Sequence, residues 1–540
     1  MYLTGHKSLL VFIVALAFVL RIYKLADYPV SLSWDEVAIG YNAFSIAQTG
    51  ADEYGHRWPL LFQSFNDYKL PGYIYLDALF IKFLGLSEFS TRLPSALFGT
   101  LAVIIIYFLV KELSKNFNSQ LSVAHLAALM LAISPWHLQL SRAAFEANLA
   151  QTFVLAGITL LFYGLKNKLA AFISVPTLGA SLYFYYSPRI FMPLILLIFI
   201  LIFKKKITAN FKQYLWGMIL AIILIIPITT QILSPQGLKR VEEVSIFADK
   251  SKIVDYVDPR AQSPSPFSAI FLNRRIPIVF ESLHNYFAHL SFGFLFFGDD
   301  PNPRHRSSFH GNFYLFEIPL ILAGLWFIAK TQDKKLKYFL LAWILVAPIP
   351  AAFAQEAPHG LRAANLLPPL IIASAAGLHS LLSGRLKLAM IMIALILFAN
   401  YLFSYYQVYP RQNSTAWAYG YRQMIRQIQE IEGQYDRIII TGHYWKPYIF
   451  YLFYDKFDPR LYQLTSSQAT IGQFRFGTTS WDSGEDLNDK SIQSLKGSKT
   501  LLVISLSEFE SLRQKDKFKL ITTINDYSQK SKLFLIGEWL

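Results

Sequence analysis

The 540-residue chain contains no cysteine. That excludes a disulfide framework, a thiolate metal site and a cysteine nucleophile, and it leaves the redox compartment open. Charge is also scarce: Asp, Glu, Lys and Arg make up 16% of the chain against 54% hydrophobic residues, and apolar runs recur from Ser8 to Tyr405. A soluble domain of this size would not carry such runs, so the composition describes an α-helical polytopic membrane protein. There is no internal repeat and no low-complexity linker. The first apolar run, residues 8–25, is followed by no small-residue cleavage site, so a retained span is expected rather than a signal peptide. A formal net charge of +15 would suit nucleic acid, yet Lys and Arg sit in short clusters between the apolar runs, as the positive-inside bias requires. Membrane lipid is the expected partner and nucleic acid is not.

The expected spans are residues 8–25, 93–111, 121–138, 147–165, 168–186, 189–203, 213–232, 313–330, 337–354, 364–383 and 386–406. Each is near the length a bilayer requires. Leu70–Leu86 is apolar but short and interrupted by Asp77 and Lys82, and it is expected to lie flat in the interface. The clusters Lys111/Lys115, Lys166/Lys168, Lys204-Lys205-Lys206/Lys212, Lys330/Lys334/Lys335/Lys337 and Arg385/Lys387 then all fall on the side of the N-terminus, which makes that side the cytoplasm. After about Tyr405 the hydropathy falls. A helix is expected at Ala416–Gln434, an apolar segment at Tyr448–Tyr454, and strands at Arg437–Thr441, Thr500–Ser505, Lys519–Ile524 and Leu533–Ile536. The expected division is a transmembrane domain over 1–407 and a small extracytoplasmic α/β domain over 408–540, in the cell (inner) membrane.

On that topology the polar stretches cluster outside. The first outer loop holds Ser33-Trp34-Asp35-Glu36 and Asn66-Asp67-Tyr68-Lys69-Leu70-Pro71. Ser31 or Ser33 can cap a helix with Asp35 and Glu36 in its first turn and Thr49-Gly50 as its stop. Later outer loops hold His137, Arg142 and Glu146, then Arg189, then Asn273-Arg274-Arg275 and Asp299 to His305, and finally His359 and Arg362. Polar groups at membrane depth are costly unless they face a cavity, so their convergence on one side marks a site. Simpler roles exist for several. First-turn acids suit the helix dipole, Lys69 can snorkel to headgroups, and Arg142 and Glu146 can form an i,i+4 pair.

The series Trp34-Asp35-Glu36, Gly40-Tyr41-Asn42-Ala43, Thr49 to Glu53, Asp67-Tyr68-Lys69-Leu70-Pro71, Glu88 to Ala96 and Ser134 to Glu146 resembles the bacterial branch of the protein O-mannosyltransferase and aminoarabinose-transferase superfamily. The pattern departs from the aminoarabinose branch in two places: Leu70 stands between Lys69 and Pro71, and Glu146 replaces an aspartate. The resemblance implies a GT-C fold and inverting transfer of a sugar from a polyprenyl-phosphate donor, with an outer-loop acid as base. The acceptor is left open among protein, lipid and glycan.

Such a displacement needs a carboxylate to take the acceptor hydroxyl's proton. Asp35 is the expected base, and Glu36 either orients it or is structural, because adjacent helical residues diverge by about 100°. The leaving phosphate needs cations, for which Lys69, Arg142, Arg189 and Arg362 are the candidates. Glu146, Asp67, Tyr68, His137, His305 and His359 are expected to support donor, acceptor or a divalent cation, although the histidine spacing matches no metal-ligand motif. The alternative from another class is a carrier or flippase for a lipid-linked sugar. The chain lacks the paired halves usual in transporters.

Overall fold

The computed structural model describes residues 2–65, 67–115, 120–235, 237, 245–246, 275–381, 384–477, 497–512 and 514–540. Asn66 and the Asn273-Arg274 pair lie outside the described residues. The chain divides into two compact units. One comprises Met1–Tyr23, Asp67–Gly72 and Ser95–Ser404, and the other Lys24–Asn66, Tyr73–Pro94 and Tyr405–Leu540.

The first unit is helical. The apolar runs become α1 (Tyr2–Ile22) and, among others, the helices Glu146–Gly164, Lys168–Ala180, Pro188–Ile207, Phe211–Ile232, Glu317–Lys330, Lys334–Val346, Leu367–Leu381 and Gly384–Phe403. Among the described residues five helices are long and apolar enough to cross a membrane, or six if one bent pair is counted as a span. That pair, Ser122–Ile133 and Pro135–Ser141, bends by 58°. The bend has a local cause: Pro135 cannot continue the preceding helix, and the Ser134 side chain accepts the His137 N–H to start the next. Helices Glu317–Lys330 and Leu367–Leu381 meet at glycines, since a Cβ on Gly324 would strike the Ala373 carbonyl and one on Gly377 the Leu320 carbonyl. Such small-residue contacts let backbones approach where lipid supplies no hydrophobic drive.

In the second unit, α2 (Trp34–Thr49) starts at a capping box in which Ser33 and Glu36 satisfy each other's backbone N–H. It stops at Gly50, whose φ of 70° is the left-handed cap that glycine adopts without a Cβ penalty. Along α2, Gly40 lies against Phe453 of helix Pro447–Tyr454 and against Thr91, where a Cβ would not fit. The C-terminal residues form a six-stranded mixed sheet in the spatial order Thr470–Ile471, Phe474–Phe476, Arg437–Ile440, Thr500–Ile504, Lys532–Trp539 and Phe518–Asn525. Arg437–Ile440 runs parallel to both its neighbours, and every residue of Thr500–Ile504 is buried.

The single helix expected over Ala416–Gln434 is instead three pieces: Thr415–Trp417, Tyr421–Gln429 and Glu432–Gln434. Ala418 at φ 50° and Gly420 at φ 105° break it. Helix Pro71–Leu84, in the stretch expected to lie in the interface, has 14 residues.

Candidate active site

Two adjacent acids in the first turn of α2 have different surroundings. Glu36 is buried, and its carboxylate accepts the Ser33 N–H at 2.9 Å, Arg92 Nε at 2.9 Å and Arg92 Nη2 at 3.3 Å. Arg92 is fully buried and also donates to the carbonyls of Leu25 at 3.1 Å and Pro29 at 2.8 Å, and to that of Ser31. The pair therefore pins the chain entering α2 onto the start of helix Glu88–Leu113. Asp35, about 100° further round the helix, is only partly buried. Asp35 is thus the less buried acid of the pair.

Beyond the Gly50 stop, Asp52 accepts the N–H groups of Tyr54 and His56 and bonds His56 Nδ1 at 3.0 Å. Glu53 is fully buried, with Oε1 accepting from Asn42 Nδ2 at 3.2 Å and Oε2 meeting no hydrogen-bond partner among the described residues. Burial, reinforced by the charge of Asp52 and opposed by the Asn42 hydrogen bond, pushes its carboxyl up to about 8.

Among the candidate phosphate cations, Lys69 is nearly buried at the end of strand Asp67–Lys69. Asp67 accepts the Tyr68 N–H at 2.6 Å. The Tyr68 carbonyl accepts the Tyr186 hydroxyl at 2.7 Å, and Arg189 bonds that hydroxyl while its guanidinium lies 4.1 Å from the Tyr186 ring centre. Glu146 is within electrostatic range of Tyr186. Tyr186 and Arg189 are therefore tied to the strand that bears Lys69, with Glu146 in electrostatic range of Tyr186. Arg189 Nε and Nη2 are buried without a hydrogen-bond partner among the described residues.

Arg142 bonds the end of α1. Its Nη1 donates to the carbonyls of Leu20 and Arg21, and its Nη2 to that of Tyr23 at 2.9 Å. These are orphan carbonyls at the C-terminal end of α1, where a cation also suits the helix dipole. His137 is buried with Nδ1 2.7 Å from Arg21 Nη2, so its ring proton sits on Nε2.

A second cluster forms around residues 285–306 and 359–362. Asp300 accepts the Gly360 N–H at 2.6 Å and faces His305 Nδ1 at 3.2 Å; the His305 and His359 rings are 4.3 Å apart. His289 Nε2 accepts the His359 N–H at 2.9 Å. Burial holds His289 down at about 4, and burial together with His305, Arg362 and His289 holds His359 well below the usual histidine range. Arg362 Nη1 is buried and has no partner among the described residues. No group of three or more His, Asp and Glu that could hold a metal ion occurs among the described residues. The sequence had offered no role for Arg92 and no link between Tyr186 and the Lys69 strand; each is a long-range pairing without a local signature.

Residues 69–230, short of half the chain, match the family model described as dolichyl-phosphate-mannose-protein mannosyltransferase. No curated protein matches the sequence. The fold is similar to that of ArnT from Cupriavidus metallidurans bound to undecaprenyl phosphate, with a TM-score of 0.54 and 11% identity over 98% of this chain and 97% of that one. The chain has a GT-C glycosyltransferase fold. The apo ArnT structure from the same organism gives 0.55 at 10% identity, covering 100% and 98%. The apo oligosaccharyltransferase of Archaeoglobus fulgidus gives 0.50 at 14% identity, covering 94% of this GT-C chain and 70% of that one. The resemblance read from the motifs is borne out, and the GT-C chain is a multi-pass membrane protein.

Proposed function

We propose that this protein transfers a sugar from a polyprenyl-phosphate donor to an acceptor hydroxyl on the outer face of the cell membrane, with inversion at the anomeric carbon. The observation that carries the reading is Arg189: its Nε and Nη2 are buried and unmatched among the described residues, on a side chain tied through Tyr186 to the strand bearing Lys69. Unmatched buried donors are costly, and a phosphate supplies the missing acceptors. Undecaprenyl phosphate bound to the ArnT neighbour is in keeping with such a ligand. The phosphate set we propose is Lys69, Arg189 and Arg362, with Arg142 an anchor for the end of α1. Asp35 is the base. It takes the acceptor's proton as the new C–O bond forms, and the lipid phosphate leaves with the electrons of the bond that breaks. Glu36 and Arg92 hold the turn that carries it.

The proposed topology keeps about eleven spans, a cytoplasmic N-terminus, a membrane domain over 1–407 and an extracytoplasmic domain over 408–540. Radiolabelled polyprenyl-phosphate sugars presented to the purified protein with a panel of acceptors test the reaction. A transferase consumes donor and labels acceptor, whereas a carrier moves donor across a vesicle membrane unchanged, and that outcome would overturn the proposal.

A further inference from the structure

The second unit carries an aromatic group that the proposed chemistry has not used. The Trp445 ring stands 4.9 Å from Trp34, at 72°, and 5.1 Å from Phe65; Phe65 in turn lies 6.4 Å from Tyr448. Phe65 and Tyr448 are buried, while Trp34 and Trp445 are partly exposed. Three of the residues here sit in the left-handed region: Phe65 at φ 63°, Trp445 at φ 72° and Lys446 at φ 46°. Bulky side chains avoid that region, and such strain persists where the surroundings impose it, most often at binding and catalytic sites.

The loop's backbone is occupied. The His443 N–H donates to Thr441 Oγ1 at 2.9 Å, the Trp445 N–H to the Gly442 carbonyl at 2.8 Å, and the Trp445 carbonyl accepts the Tyr421 hydroxyl at 3.2 Å. An extended peptide bound by main-chain pairing would need those groups. What the loop leaves partly exposed is the Trp34 and Trp445 rings, with the Lys446 ammonium 5.9 Å from the Trp445 ring centre. A pyranose has the complementary form: an apolar C–H face for an indole and hydroxyls around its edge for a cation. Trp34 immediately precedes Asp35.

We propose that Trp34, Phe65 and Trp445 form the acceptor subsite and take a sugar ring against the Trp445 indole, so that the acceptor is a glycan. This rests on the proposed role of Asp35 only for the reaction, not for binding. The test uses the full chain in lipid nanodiscs free of glycosides, carrying Asp35→Asn and with no donor added, so that binding is read without turnover. Saturation-transfer NMR is recorded with gluco-, galacto- and manno-oligosaccharides and with a Ser/Thr-containing peptide. Saccharide signal is expected, with affinity weakened about tenfold by Trp445→Leu, which keeps bulk but loses the ring, and largely retained in Trp445→Phe. Thermal melts of both variants confirm folding. Absence of saccharide signal, equal binding by Trp445→Leu, or peptide binding that alone depends on Trp445 would each overturn the subsite. Failure of donor consumption by the unmutated protein would instead overturn the transfer reaction.

Discussion

Glu36 and Arg92, 56 positions apart in the sequence, form a fully buried two-pronged ion pair, with Nε to Oε1 at 2.9 Å and Nη2 to Oε2 at 3.3 Å. The remaining guanidinium donors close on the carbonyls of Leu25, Pro29 and Ser31, so the chain leading to Asp35 is fixed at several points.

Breaking that pair leaves a charge buried and unmatched. Arg92→Ala is expected to destabilise the protein by about 3–5 kcal/mol, the range for removing one partner of a buried ion pair. Glu36→Gln should also lower the melting temperature. Detergent-solubilised protein followed by differential scanning fluorimetry checks both; melting unchanged from wild type would show that the pair does not hold the loop.

Arg189 and Arg142 should separate cleanly. Losing charge-assisted hydrogen bonds worth about 1.5–3 kcal/mol, Arg189→Ala should raise the donor KM by about tenfold or more and leave the acceptor KM unchanged. Arg142→Ala removes bonds to the end of α1 and should lower the melting temperature with a smaller effect on donor KM. Steady-state kinetics with each substrate varied would show the reverse pattern if Arg142 held the phosphate.

The Glu53 carboxyl makes stability depend on pH. Its folded value of about 8 lies above the ordinary glutamate value of 4.5, so the folded state keeps a proton that the unfolded chain releases. Stability attributable to this group is undiminished below about 4.5, falls as pH rises through that window, and reaches its full loss above about 8. Glu53→Gln should flatten that part of the profile and be more stable than wild type at pH 8 by on the order of a few kcal/mol. Melting temperatures of the two proteins from pH 5 to pH 8 decide it; parallel profiles would contradict the buried-acid assignment.

Local signals were legible in the sequence and long-range pairings were not. Ser31 or Ser33 as cap and Thr49-Gly50 as stop marked both ends of α2, because a cap and a left-handed stop are each encoded within a few residues; the structure makes Ser33 the cap. The strands at Arg437–Ile440 and Thr500–Ile504 followed from runs of β-branched and aliphatic residues. The two-residue strand Thr470–Ile471 and its partner Phe474–Phe476 are too short to leave a period. Helix Tyr421–Gln429 is shorter than expected because Ala418 turns left-handed, a conformation alanine's sequence context does not signal. Arg92, Arg142 and Arg189 look alike as isolated cations in polar stretches. Only their partners distinguish a loop clamp, a helix anchor and a guanidinium with unmatched donors.

Asp35→Asn tests the proposed chemistry most directly. The substitution keeps the shape of the side chain and removes its basicity, in a first-turn position worth only about 0.3–1 kcal/mol to the helix through its dipole. With radiolabelled polyprenyl-phosphate sugar, transfer should fall by about 10²–10⁴-fold, as loss of a general base requires, while donor binding and the melting temperature stay close to wild type. A folded, donor-binding Asp35→Asn protein that transfers sugar at the wild-type rate would contradict the assignment of Asp35 as the base.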